Sequence, residues 1–195
     1  DFDYELRQLL SEHGETVPYH LTLLGSHDTA RIRTICKGSV GRTKIAMTLQ
    51  MTLPGIPMIY YGDEIGMEGE NDPDCRRPMI WDESCWNLPI FEAVQALIAL
   101  RKAHPALRCG SIRSLRVFNG VYAYARQYDE DSVIVIANPR MEQPEFTLSD
   151  EMFQQSQVWI DALSGTRFTV EHHHLTFAML PAQSAYVLLP ERTAS

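Results

Sequence analysis

The sequence of 195 residues has few cysteines, no cluster of basic residues and no long apolar run. Its four cysteines, Cys36, Cys75, Cys85 and Cys109, form no CxxC pair, which argues against a zinc or redox motif. Because cysteines this sparse build no disulfide framework, they predict free thiols in a reducing cytoplasm. Their spacing still leaves a bridge between Cys75 and Cys85 open.

The other absences exclude two classes of partner. A formal net charge of −8 without runs of lysine or arginine argues against nucleic acid, since phosphate contacts need clustered basic side chains. No apolar stretch approaches the roughly 18 residues of a membrane span, and the start shows no signal-peptide pattern. We therefore expect neither nucleic acid nor membrane as a partner. Because the chain begins at Asp1 instead of methionine, we also expect that an upstream segment is missing.

What the sequence does contain is an ordinary globular composition and, in its first half, a regular order of elements. Apolar residues at helical spacing predict helices over residues 4–13, 40–53 and 88–103. Short apolar runs predict buried strands at residues 20–25 and 56–61. This alternation is typical of a parallel sheet or barrel, although two strands alone cannot close a barrel of eight.

After His104 and Pro105 the pattern changes to short alternating runs separated by turn residues such as Asn119-Gly120. The runs predict an antiparallel β module with strands at residues 117–119, 121–128, 133–138, 157–160, 175–180 and 184–189. Within it we expect Trp159 in the core, and the run from His172 to His174 on a surface strand instead of a metal site.

The first candidate for chemistry is the pair His27 and Asp28, which follows the predicted strand at residues 20–25. The carboxyl end of a barrel strand is where such enzymes place reactive side chains, and an imidazole beside a carboxylate suits a bound sugar. The plainer alternative is that Asp28 caps a helix beginning at Thr29.

Two further segments carry candidate sugar-binding groups. Tyr60 and Tyr61, followed by the acids Asp63 and Glu64, combine rings that stack on sugars with carboxylates that accept hydroxyl hydrogen bonds. The polar loop at residues 71–82 holds Arg76 and Trp81 near acids, which fits the rim of a polyhydroxyl site. The plainer alternatives are a strand with turn residues at both ends and a solvated loop.

Together these segments resemble the carboxyl-terminal half of an α-amylase superfamily glycosidase, in particular the neopullulanase, cyclomaltodextrinase and maltogenic amylase group. The matching segments are LGSHDT at 24–29, GIPMIYYGDE at 55–64, NDPDCRR at 71–77, MIWD at 79–82 and the helix exit at 97–107. In that family they follow the seventh strand, form the eighth strand, and continue into the next loop and the last barrel helix. The resemblance covers about residues 20–108 and departs at Ala30, where the group often has proline.

The resemblance implies an α/β plus all-β fold. Residues 1–107 would form the last part of a catalytic (β/α)8 barrel, and residues 108–195 an antiparallel β-sandwich domain. A partial barrel exposes strand edges, so we expect self-association. The implied partner is an α-glucan oligosaccharide; no cofactor or metal site is expected in this chain, and the calcium dependence of the whole enzyme stays open.

The resemblance also implies roles for four residues. Asp28 would be the carboxylate that stabilises the transition state, and His27 would hydrogen-bond the sugar at the point of cleavage. Asp72 and Arg76 would hold a glucose unit further along the chain of sugars. A retaining glycosidase also needs a nucleophilic aspartate and an acid glutamate. No segment here resembles either motif, so we expect both upstream and this chain to be inactive alone.

Two alternative functions remain open at this point. The chain fits a non-catalytic carbohydrate-binding or structural module, with the β module as its main part. It also fits a fragment of a transglycosylating relative, such as an enzyme that handles trehalose or sucrose. The resemblance of residues 72–77 favours the neopullulanase group and a substrate among maltodextrins, cyclodextrins or pullulan.

Overall fold

A computed structural model describes residues 2–191 of the chain, so the outermost ends of the two predicted domains, residues 1 and 192–195, lie outside the described part. The first half contains five helices and two short strands. These are α1 (Phe2–His13), β1 (Leu21–Leu23), α2 (Ile32–Ile35), α3 (Val40–Thr52), β2 (Ile56–Met58), α4 (Leu88–Ala103) and α5 (Pro105–Cys109). The three predicted long helices and both predicted strands are present.

Two of the three long helices, α3 and α4, begin at capping residues. Ser39 accepts a hydrogen bond from the backbone N–H of Arg42 at the start of α3, and Asn87 accepts one from Ile90 at the start of α4. Both helices turn apolar side chains toward a common core. Helix α3 lies between β1 and β2 in the chain and α4 follows β2, as the helices of a βα unit do.

The strands β1 and β2 pair in parallel, with Leu21 opposite Ile56. Their predicted burial is wrong, since Leu21 is 61% exposed, Leu23 47% and Ile56 47%. The physical reason is that residues 2–191 supply only these two strands to the parallel sheet, so their apolar side chains have no third strand against which to pack.

The second half is an antiparallel sheet of eight strands. They are β3 (Ser111–Phe118), β4 (Val121–Tyr128), β5 (Asp131–Asn138), β6 (Gln143–Ser149), β7 (Val158–Asp161), β8 (Arg167–Glu171), β9 (His174–Leu180) and β10 (Ser184–Pro190). Their order is β3-β4-β5-β10-β7-β8-β9-β6, and the edge strands β3 and β6 contact each other. The sheet therefore folds over on itself as a sandwich.

Two corrections concern this half. The sequence pattern did not reveal β6 and β8, and it placed all three histidines on a strand. His172 and His173 instead form the turn between β8 and β9, with φ values of 49° and 66°, and only His174 begins a strand. Two consecutive left-handed residues turn the chain back on itself, and histidine tolerates this backbone better than branched residues do.

Successive residues of β4 and β5 enter two different cores because side chains alternate across a strand. Ala123 and Ile134 face the interior of the sandwich, where Trp159 is fully buried as predicted. Tyr124 and Val135 face the opposite way and pack with α3, α4 and α5. The helical half and the β module thus share one core across the predicted boundary at residues 107 and 108, and that boundary stays a prediction.

Candidate functional site

Three loops meet beyond the carboxyl ends of β1 and β2. We call residues 24–31 the β1 exit loop, residues 59–66 the β2 exit loop and residues 69–82 the rim loop. In an α/β architecture, the loops that follow parallel strands form the edge at which ligands bind.

The four predicted site residues lie together, with Arg76 at their centre. Arg76 Nε lies 2.8 Å from Asp72 Oδ1, and Arg76 Nη2 lies 3.4 Å from Asp28 Oδ1. The same Nε donates to the carbonyl of His27 at 2.9 Å. The ring Nε2 of His27 lies 3.2 Å from Asp28 Oδ2. Residues almost fifty positions apart therefore form one continuous polar surface.

This surface is open to solvent. The side chains of His27 and Asp28 are 66% and 68% exposed, and those of Arg76 and Asp72 are 46% and 49% exposed. Ion pairs this exposed contribute about 0–1 kcal/mol to folding, so the fold does not depend on them. Two carboxylates, a guanidinium and an imidazole offer both acceptors and donors, which is what sugar hydroxyls need.

The alternative of a capping role for Asp28 is wrong. The next helix, α2, begins only at Ile32, and no side chain caps it. The backbone of the β1 exit loop is held by its own hydroxyls: Asp28 N donates to Ser26 Oγ at 3.1 Å, and Ser26 N donates to Thr29 Oγ1 at 3.1 Å. The carboxylate of Asp28 is left to face solvent and Arg76.

The rim loop supports the β1 exit loop through contacts that the sequence pattern did not reveal. Fully buried Cys75 donates its thiol to the carbonyl of His27 at 3.3 Å. Asn71 Oδ1 accepts from Ala30 N at 3.2 Å, and Gly69 O accepts from Arg31 N at 2.9 Å. Cys75 is a free thiol, as are the other three cysteines, so the bridge left open is not formed.

A buried ion pair, also missed, lies beneath the loops. Arg31 is fully buried and its Nη1 lies 3.1 Å from Oδ1 of Asp63, which is 2% exposed. Burial raises the pKa of Asp63 to about 6, although the neighbouring guanidinium works in the opposite direction. Asp63 therefore does not face a sugar, and its predicted role as an acceptor for sugar hydroxyls is wrong.

Trp81 on the rim loop is 80% exposed. The neighbouring Trp86 donates its Nε1 hydrogen to the carbonyl of Ile80 at 2.8 Å, which fixes the backbone that presents Trp81. An exposed indole on a fixed backbone suits stacking against a sugar ring. Its part in the rim stays a prediction.

Other parts of the described chain offer less chemistry. A cavity of about 840 Å³ lies between the α4–α5 corner and the β4–β5 hairpin, and none of the four predicted residues lines it. Within residues 2–191, no group of three histidine, cysteine, aspartate or glutamate side chains is arranged to hold a metal ion. No helix in that range is both long and apolar enough to span a bilayer.

Both halves of the chain match known protein families. Residues 2–88 match the family described as alpha amylase, catalytic domain, and residues 112–187 match the family described as maltogenic amylase, C-terminal domain. The two matches follow one another along the chain, as the helical half and the β module do.

Individual relatives agree with the family matches. A cyclomaltodextrinase of Thermoanaerobacter pseudethanolicus is 41% identical over 150 residues, covering 76% of this chain and 26% of the relative. Neopullulanase 2 of Thermoactinomyces vulgaris is 38% identical over 185 residues, covering 93% of this chain and 32% of the relative. The crystal structure of Ttha1563 from Thermus thermophilus superposes with a TM-score of 0.81 at 33% identity, covering 95% of this chain and 40% of that chain. The chain thus spans about a quarter to a third of the length of these curated relatives.

Proposed function

Because the chain belongs to the α-amylase superfamily, in the group of cyclomaltodextrinases, neopullulanases and maltogenic amylases, we propose that it supplies one wall of a retaining glycosidase active site. The substrate would be an α-glucan: a maltodextrin, a cyclodextrin or pullulan. The observation that carries this proposal is the convergence of His27, Asp28, Asp72 and Arg76 beyond the two parallel strands.

Asp28 is the residue to which we assign the main catalytic contribution. Cleavage of a glycosidic bond passes through an oxocarbenium-like transition state, in which hydrogen bonds to the ring hydroxyls strengthen. A carboxylate that accepts those bonds lowers the barrier because it binds the transition state more tightly than the substrate. Its contacts with Arg76 and His27 hold the carboxylate of Asp28 in place without covering it.

His27 and the pair formed by Asp72 and Arg76 have binding roles in this proposal. His27 donates to a hydroxyl of the sugar at the point of cleavage. Asp72 offers acceptor oxygens and Arg76 offers its Nη donors side by side on one surface, which suits the hydroxyls of a glucose unit. Trp81, on the same loop, would stack against that unit.

The bond-breaking pair is proposed to lie outside this chain. Retaining cleavage needs a nucleophilic carboxylate and an acid about 5–5.5 Å apart across the bond. Both carboxylates of the four-residue site, Asp28 and Asp72, are salt-bridged to Arg76, so neither is free to act as the nucleophile or the acid. We therefore propose that the chain binds glucan but does not hydrolyse it.

Two further proposals concern the surroundings of the protein. Exposed Leu21, Leu23 and Ile56 on the parallel strands favour self-association of the isolated chain, which light scattering would detect as a mass above 22.2 kDa. Four free thiols, with Cys85 and Cys109 exposed, favour a reducing cytoplasm as its location.

The test is a titration of the isolated chain with maltotriose, followed by NMR, together with an assay for reducing sugar released from cyclodextrin. We expect binding that Asp28→Ala and Asp72→Ala each weaken, and no release of sugar. Glu130→Gln on the β4–β5 hairpin is the matched control and should bind as the wild-type chain does. Binding that survives both site substitutions contradicts the assigned residues, and hydrolysis by the chain contradicts its proposed inactivity.

A further inference from the structure

The buried pair Arg31 and Asp63 joins the two strand exits beneath the candidate site. Arg31 Nη1 donates to the carbonyl of Tyr61 at 2.7 Å and to Asp63 Oδ1 at 3.1 Å. Arg31 lies on the β1 exit loop, whereas both acceptors lie on the β2 exit loop. One side chain therefore ties the two loops together where no backbone hydrogen bond of the β1–β2 pair reaches, since that pairing ends at Leu23 and Met58.

The remaining faces of the Arg31 guanidinium are enclosed by aromatic rings. Its Cζ lies 4.8 Å from the ring centroid of Tyr60 and 4.8 Å from that of Tyr61. Arg31 Nε and Nη2 are buried and donate to no oxygen of residues 2–191. The two tyrosine rings therefore provide the main contacts of this part of the guanidinium. A side chain fixed by an ion pair, a carbonyl and two rings has little rotational freedom left.

Asp63 is also held from the other side. A β-carbon added at Gly25 would overlap Asp63 Oδ2, and one added at Gly62 would lie 3.3 Å from Arg31 Nη1. Glycine at position 25 therefore lets the carboxylate touch the backbone of the β1 exit loop, two residues before His27. Contacts at both residues of the ion pair therefore fix the distance between the β1 exit loop and the β2 exit loop.

From this geometry we infer that Arg31 and Asp63 are positioning residues, which hold the β1 exit loop so that His27 and Asp28 face the sugar. Neither side chain reaches the surface, so neither touches a ligand directly. The inference rests on the proposed function for what the site binds. Its structural part, that the pair fixes the loop, is testable without any ligand.

Cys75 provides the probe of loop position, because its thiol is fully buried directly against the carbonyl of His27. Replacing Cys36, Cys85 and Cys109 by serine leaves Cys75 as the single thiol of the full chain. Its rate of modification by Ellman's reagent under native conditions then reports how often the β1 exit loop opens. Urea unfolding of the same variants gives the contribution of global unfolding to that rate.

In this background, Asp63→Ala should raise the Cys75 modification rate by about tenfold beyond the change explained by global unfolding. Asp63→Asn keeps an acceptor for Arg31 and should restore most of the protection. Glu68→Gln is the matched control: it breaks the 3.1 Å ion pair of Arg33 with Glu68, which does not touch the β1 exit loop, and should leave the rate unchanged.

The second measurement is the affinity of each variant for maltotriose. We expect Asp63→Ala to weaken binding by about tenfold and Asp63→Asn to recover it. A Cys75 rate in Asp63→Ala no faster than in Glu68→Gln overturns the inference, whether or not the chain binds glucan. Absence of binding by the wild-type chain overturns the proposed function instead, while the thiol rates still decide whether the pair positions the loop.

Discussion

The hydrogen bond between Thr52 and Tyr124 offers a quantitative test of how the helical half packs on the β module. Both residues are fully buried, and their hydroxyl oxygens lie 2.6 Å apart. Thr52 donates its own hydrogen to the carbonyl of Thr48 at 2.6 Å. Burial raises the pKa of the Tyr124 hydroxyl, so it keeps its proton. Tyr124 is therefore the donor and Thr52 the acceptor.

This direction makes the two single substitutions unequal. Tyr124→Phe removes the donor, and Thr52 still has a partner in Thr48, so the loss is about 1 kcal/mol of unfolding free energy. Thr52→Val leaves the Tyr124 hydroxyl buried without an acceptor, which costs about 1–3 kcal/mol. The double variant removes both groups and should lose no more than about 1 kcal/mol, so the two effects are not additive.

The assay is urea unfolding of the chain at pH 7, followed by far-ultraviolet circular dichroism. For a chain of this size each kcal/mol corresponds to about 2–4 °C in Tm, which provides a second measurement. Tyr128→Phe is the control, since Tyr128 is 45% exposed and its loss should change little. A double variant that loses the sum of the two single effects would refute this hydrogen bond between the helical half and the β module.

Three other predictions follow from the site and its surroundings. Burial raises the pKa of Asp63 from 3.8 to about 6, so between these pH values the folded state keeps a proton that the unfolded state loses. The unfolding free energy should therefore fall by about 3 kcal/mol, relative to Asp63→Asn, as the pH rises from about 4 to 6. Urea titrations at each pH measure this fall. Gly25→Ala should lower the unfolding free energy by about 1–3 kcal/mol, because its β-carbon overlaps Asp63; an unchanged urea midpoint would contradict that contact. Trp81→Ala should weaken maltotriose binding by about 0.5–1.5 kcal/mol without changing Tm, and equal affinity would exclude Trp81 from the rim.

The sequence predicted the elements whose local pattern is regular. Helix α4 has its cap, its apolar spacing and its end within residues 87–104, and its predicted bounds match. Strand β6 was missed because Pro144 has no N–H to donate and Glu145, at φ 51°, shifts the alternation of buried residues, so that Gln143 and Phe146 are both buried. An alternation that shifts by one residue gives no clear period-two signal.

In the candidate site, too, some residues could be predicted from the sequence and others could not. His27, Asp28, Asp72 and Arg76 are predicted as site residues because family motifs place them, and the structure brings them close together. The Arg31–Asp63 pair was not found, since it joins residues 32 positions apart and both are charged residues of a kind usually exposed. Only tertiary packing decides that these two charges are buried and that Asp63 faces Arg31 instead of a sugar.

The most direct test of the central claim is a chimera in which this chain replaces the matching part of neopullulanase 2 of Thermoactinomyces vulgaris, with which it shares 38% identity over 185 residues. If Asp28 stabilises the transition state, the chimera should hydrolyse pullulan, and Asp28→Asn should lower its kcat by about 10²–10³-fold with little change in KM. Asp129→Asn, on the β4–β5 hairpin, should have no effect. A chimera whose kcat is unchanged by Asp28→Asn would contradict the assignment of Asp28 to catalysis.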